Sequence, residues 1–196
     1  MPDEPNNATS TPNGAPTAMR APGSIEFEER LGAFIGPRWD RSYRKKLSVF
    51  VDDPSFLPTW NWSAFFAMPF WFLYRKMYLW FAVFFFIPGA LLDWLVPSAT
   101  ALTPDDMVKP ENQQALLMIL AVQISARLAA GGVANWLLFR RARTAIRVVG
   151  MQPMSAGDSL QLLRRVGGTS GLLTYVLVGV IVALGVASVM GALAPR

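Results

Sequence analysis

The chain has 196 residues and a net charge of +5, with 53% hydrophobic but only 16% charged residues, an excess that favours a bilayer over water as solvent. It contains neither cysteine nor histidine, which excludes disulfides, thiolate metal sites and cysteine nucleophiles and removes the usual zinc ligands, the common axial ligand of haem and chlorophyll, and the commonest general base. Acid–base or metal chemistry would have to rest on carboxylates alone, so the expectation is a protein that is not an enzyme, with no catalytic residue, no metal and no cofactor.

Residues 1–23, rich in Pro, Asn, Thr and Ala and without apolar periodicity, read as a disordered cytoplasmic arm that orders along a partner. No basic start followed by an apolar run occurs in the first ~30 residues, so a leader peptide is not expected and the amino terminus is placed in the cytoplasm. Residues 24–61 follow as a cytoplasmic amphipathic segment. Ser24 is positioned to cap a short helix that carries Glu26, Glu28 and Glu29 near its positive end, and Gly36 with Pro37 ends it. Beyond Trp39, the residues Arg41, Arg44, Lys45 and Lys46 alternate with Tyr43, Leu47 and Phe50. Such a piece either lies on an anionic leaflet or a partner, or is a small cytoplasmic helix with a solvated basic face.

Residues 62–196 read as a membrane domain. The aromatic stretch 62–74 would make a helix of about 20 Å, too short to cross ~30 Å of hydrocarbon, so it is expected to be interfacial or re-entrant, with Arg75 and Lys76 at its watery end. A first span covers residues 77–96, uncharged from Met77 to Leu92. The proline-containing polar loop 97–112 leads to a second span at 115–139, which Arg140, Arg141, Arg143 and Arg147 continue as a basic turn. A short helix from Asp158 to about Arg165 and the sequence Gly167-Gly168-Thr169-Ser170 precede a third span at 171–193. The fold class is thus an all-α integral membrane protein, with three transmembrane helices, an interfacial or re-entrant aromatic helix, and short cytoplasmic amphipathic helices. Of 18 Lys and Arg, seven lie before residue 60 and six at 140–165, against Lys109 alone in the 97–112 loop. That asymmetry places the amino terminus in the cytoplasm and the carboxyl terminus in the periplasm.

Arg127 is the most informative single residue. It sits at the middle of the second span, where an Arg costs about 2.5–3.5 kcal/mol on insertion scales, so it must face protein or a wet cavity. Its candidate partners are carbonyls of the 62–74 segment, Gln123, Asn135, or a carboxylate of another subunit; the alternative is a structural role, fastening carbonyls or snorkelling. Arg127, Tyr74, Arg75, Lys76, Arg140 and Arg141 together form the candidate set for contact with a partner or with lipid. Gly179, Ala183, Ala187 and Gly191 recur every four residues along the third span, and Ala126, Ala130 and Ala134 along the second, a spacing that lets helix backbones approach closely.

The weaker signals each have a plain structural reading. Asp52-Asp53 and Asp105-Asp106 either hold a hard cation or are solvated loop ends. The Trp and Tyr residues at 60, 62, 71, 74, 78 and 80 either line a pigment or quinone pocket or form an interfacial belt. Residues 167–170 either bind a phosphate or cap the third span.

The string NWSAFFAMPFWFLYRKMY, residues 61–78, resembles the NWxAFFxxPFWxLYRKMY signature of a bacterial inner-membrane family of unknown function. The likeness extends to FIGPRWDRSYRKKL (34–47), GGVANWLLFRRARTAI (131–146) and GGTS (167–170), with departures at Met68, where Gly is usual, and at Trp136 and Phe139. The resemblance implies a small multi-pass membrane protein and brings no catalytic residues. The functional expectation is a non-catalytic accessory subunit of a larger bacterial inner-membrane complex, energy-transducing, photosynthetic or respiratory, whose partners are other integral membrane subunits and anionic lipids and not nucleic acid. The alternatives are an oligomeric small transporter or channel component, and a lipid-interacting membrane organiser.

Overall fold

The computed structural model describes residues 22–97 and 109–193. Helix α1, Pro22–Ile35, begins on the proline, whose missing N–H costs nothing in a first turn. It therefore starts ahead of Ser24, which is not its cap as expected above but lies inside it. Leu31, Phe34 and Ile35 lie on one buried face, and Gly36, with φ at +84°, turns the chain out of the helix before Pro37. A π-helical turn, Trp39–Tyr43, then leads into α2, Arg44–Asp52. Gly32 lets the Trp39 ring lie close, since a Cβ there would meet the ring at 3.0 Å.

The aromatic stretch is two helices rather than one. Helix α3, Trp62–Ala67, is capped by Asn61, whose Oδ1 accepts from the Ala64 amide at 3.1 Å, a bond typically worth about 1 kcal/mol. A cis Met68–Pro69 peptide separates it from α4, Phe70–Tyr74. Lys76, with φ at +58°, redirects the chain into α5, Tyr78–Leu95, which carries Pro88 in its interior. A 3₁₀ turn, Pro110–Asn112, opens α6, Gln113–Gly150. Its 38 residues run for about 57 Å, so the second span and the basic turn that follows it form one unbroken helix. Helix α7, Ala156–Val166, is capped by Ser155, which accepts from the Asp158 amide at 3.1 Å, and α8 is Gly171–Leu193.

The described residues are all-helical, and three helices are long and apolar enough to cross a membrane. The chain divides at the level of Tyr74 to Met77. On one side, α1, α2, α7 and the last third of α6 bury Leu31, Phe34, Leu47, Phe50, Phe139 and Leu163 in a common core, with the Phe50 and Phe139 rings 5.4 Å apart. The basic piece beyond Trp39 therefore buries Tyr43, Leu47 and Phe50 inside its own chain and leaves Arg41, Arg44 and Lys45 exposed. Its apolar face is not available to a leaflet, because α6 already covers it. On the other side, α3 and α4 lie against α6 and α5, and the faces of α5 and α8 are largely exposed, as surfaces solvated by acyl chains are.

The small residues of α6 serve this arrangement. Ala130 and Ala134 are fully buried, and at Gly131 a Cβ would meet Trp60 at 3.1 Å and Phe65 at 3.2 Å. Around Gly131 the close approach is made to Trp60 and to Phe65 of α3, while Ala126, earlier in the same row, faces the α5 span across a cleft shared with Val83 and Pro88.

Candidate functional site

Polar groups inside an apolar medium must find partners, and three nodes show how the chain supplies them. The first is Asn135, fully buried on α6. It accepts from Asn61 Nδ2 at 2.8 Å and donates to Thr59 Oγ1 at 3.1 Å and the Thr59 carbonyl at 3.2 Å, while the Asn61 amide donates to the Gly131 carbonyl at 2.9 Å. The entry into α3 is thereby tied to α6. In the sequence Asn135 stands out only as a candidate partner for Arg127, and Asn61 only as the first residue of the 61–78 signature. The repeated Asn-Trp pair, 61-62 and 135-136, was the available signal, since two uncharged polar residues flanked by apolar runs are expected to satisfy one another.

The second node is Arg127. Its guanidinium donates to the Phe66 carbonyl at 3.2 Å and reaches the Phe65 carbonyl at 3.5 Å. These carbonyls belong to the last turn of α3, which has no continuing helix to satisfy them and carries the negative end of the helix dipole. Of the partners considered for it, the carbonyls of the aromatic segment are the ones Arg127 meets within this chain. Replacing Arg127 by Leu is expected to lower the stability of the isolated protein by about 1 kcal/mol while leaving its membrane abundance equal or higher. Thermal unfolding in mild detergent beside quantitative blotting of membranes checks this, and unchanged melting would show that the carbonyl bonds contribute nothing.

The third node is the joint at Tyr74, Arg75 and Lys76. Arg75 is 3% exposed, donates to the Ile35 carbonyl at 3.1 Å, and lies over the Tyr43 ring at 4.6 Å. Its own carbonyl accepts from Arg141, whose guanidinium sits 5.8 Å from the Phe34 ring. Lys76 Nζ donates to the Arg165 carbonyl at 3.0 Å, at the negative end of α7. The Tyr74 carbonyl accepts from the Ser170 amide at 2.7 Å and the Phe34 carbonyl from the Gly168 amide at 2.8 Å. Elements from four parts of the chain meet here, and carbonyls rather than carboxylates hold the cations. Arg140 is exposed, 4.8 Å over the Trp136 ring. The joint offers positive charge and hydrogen-bond donors, and no acid–base pair.

The remaining candidates separate from these nodes. Three amides of the 167–170 loop, those of Gly167, Gly168 and Ser170, are taken by protein carbonyls. Asp53 accepts from the Ser55 amide at 2.9 Å, a loop turn that holds its carboxylate below the usual range. Asp105 and Asp106, the arm up to residue 21, and the surroundings of Gly191 lie outside the described residues. Among the described residues no group of three carboxylates is placed to hold a metal. Trp71 is buried, whereas Trp62 and Tyr78 are exposed and belong to a chain of ring contacts or to the helix surface. Gly179, Ala183 and Ala187 lie on α8, and a Cβ on Gly179 would meet nothing within 4 Å.

These features define an all-α, multi-pass membrane protein with a folded cap on one end of its helices. Comparison with models of known protein families, with curated proteins and with solved structures gives no match.

Proposed function

We propose that the chain is a non-catalytic accessory subunit of a larger bacterial inner-membrane complex, of the energy-transducing kind, with its amino terminus in the cytoplasm and its carboxyl terminus in the periplasm. The observation that carries this reading is the state of α8. Leu172, Tyr175, Val176, Val182 and Leu184 are each more than half exposed, and the helix packs chiefly on α4 near its own start. The ridge of Gly179, Ala183 and Ala187 is thus left for a helix from elsewhere, because small residues at this spacing favour close backbone contact over contact with lipid. The absence of cysteine and histidine supports a non-catalytic role, and the Lys and Arg asymmetry supports the orientation. The resemblance of residues 61–78 to a bacterial inner-membrane family supports the location.

The test replaces Ala183 by Ile, which fills the ridge while keeping the position apolar, so membrane insertion is not weakened. Native purification in mild detergent is expected to recover an integral membrane partner in stoichiometric amount with the wild type and about tenfold less with the variant, a change of ~1.4 kcal/mol, at equal membrane abundance. A wild-type protein that purifies with no stoichiometric partner would overturn the proposal.

A further inference from the structure

We propose that the groove between the start of α5 and residues 137–148 of α6 is a binding site for one anionic phospholipid. The inference rests on α5 and α6 as membrane spans and is independent of the accessory-subunit reading and of which leaflet is involved.

The groove has a volume of about 660 Å³, within the ~300–1,000 Å³ range of ligand clefts. Lys76, Arg140 and Arg141 line it, and no carboxylate does. None of the three is ion-paired to any described residue. Two of them are already held in position by one bond each, Lys76 Nζ to the Arg165 carbonyl and Arg141 to the Arg75 carbonyl. An ammonium has three donors and a guanidinium five, so each retains donors for an anion, and the ordering of the side chain has been met by the fold. Arg140 is stacked on Trp136 and makes no hydrogen bond through its guanidinium to the described residues.

Apart from the hydroxyls of Tyr78 and Thr144, the rest of the lining is apolar: Met77, Leu79, Trp80, Leu137 and Val148 among others, with Leu79 71% and Val148 51% exposed. Its level matters. The groove lies where the apolar run of α5 begins and where α6 passes from apolar residues to Arg140, Arg141, Arg143 and Arg147. That is the membrane–water boundary, and Tyr78 and Trp80 stand at it as interfacial aromatics do. A free phosphate would use the cations and leave the apolar wall bare, and an acidic peptide would have to bring its backbone against a surface facing acyl chains. A phospholipid with a net negative headgroup uses both parts at once, its phosphate on the three cations and its acyl chain along the wall, as basic clefts between spans do.

The experiment uses the purified full-length chain in detergent, with native mass spectrometry to count bound lipid. The probes are phosphatidylglycerol and phosphatidylethanolamine of the same acyl chains, and inorganic phosphate as competitor. One phosphatidylglycerol per chain is expected, at least tenfold preferred over phosphatidylethanolamine, and not displaced by phosphate. Arg140→Glu should reduce binding about tenfold and Val148→Ser about threefold, with melting unchanged in both. Arg143→Glu, the same charge change on an exposed Arg outside the groove, should stay within twofold of wild type. If Arg140→Glu lowers the melting temperature, Arg140→Gln is read in its place and should lose about fivefold. Equal binding of the two lipids, displacement by phosphate with no effect of Val148→Ser, an unaffected Arg140 variant, or an equal loss from Arg143→Glu would each overturn the site. The first would leave a lipid contact blind to headgroup charge, the second a site for free anions, the third no site at this groove, and the fourth a diffuse basic surface.

Discussion

Replacing Gly167 by alanine is expected to destabilise the protein by about 3 kcal/mol, more than the same change at any other described glycine. A Cβ at Gly167 would lie 2.1 Å from the Phe34 carbonyl oxygen and 2.9 Å from that of Leu163. Both are backbone atoms of packed helices, so no side-chain rotation relieves the clash. The end of α1 must move away from the end of α7, and two other bonds go with it. The Phe34 carbonyl accepts from the Gly168 amide, and the neighbouring Ile35 carbonyl holds the buried Arg75. A cation 3% exposed would then lose its only side-chain hydrogen bond among the described residues, which is why the cost lies at the upper end of the range for overpacking. Thermal unfolding in a single detergent checks it, with Gly179→Ala as control, since a Cβ there meets nothing within 4 Å. Equal melting of Gly167→Ala and wild type would mean that α1 and α7 are not packed as described.

Asn135→Leu is expected to cost about 2–3 kcal/mol. Leucine has nearly the same volume and suits the apolar medium better, so hydropathy alone predicts a gain. The loss comes from what is left behind: Asn61 Nδ2 without its acceptor, and the Thr59 hydroxyl and carbonyl without their donor, all against a fully buried position. Because Asn61 also caps α3, Asn61→Ala should lose the cap as well, and the double variant should be less destabilised than the sum by about 1 kcal/mol. A double-mutant cycle on melting provides the measurement. Full additivity would mean that the two asparagines do not act on one another.

Both positions show what kinds of residue a sequence exposes. Arg127 was legible because a charge in an apolar run is costly wherever the chain folds, so its need for a partner is a local property. The asparagines were half legible, since amides are tolerated in many settings and only their repetition beside Trp marks them. In the sequence, Gly167 reads only as part of a cap or a phosphate loop. Its requirement comes from the Phe34 carbonyl, 133 positions earlier in the chain, and nothing near residue 167 encodes that approach. The basic piece beyond Trp39 shows the reverse case. Its amphipathic pattern was plain, but a pattern states that one face will be covered and not by what, and the cover proved to be the long α6 of the same chain.

The sequence by itself determined the solvent, the three long apolar helices and the ends at which charge collects, because hydropathy and charge sum over consecutive residues and need no knowledge of distant ones. Tertiary structure alone decided the splitting of the aromatic stretch into two helices, the pairing of Asn61 with Asn135, and the carbonyls that take Arg127, Arg75, Arg141 and Lys76. The physical reason lies in the acceptor. Every residue carries the same backbone carbonyl, so a cation satisfied by one leaves no trace in the partner's side chain, and only the fold reveals which carbonyl is free to receive it.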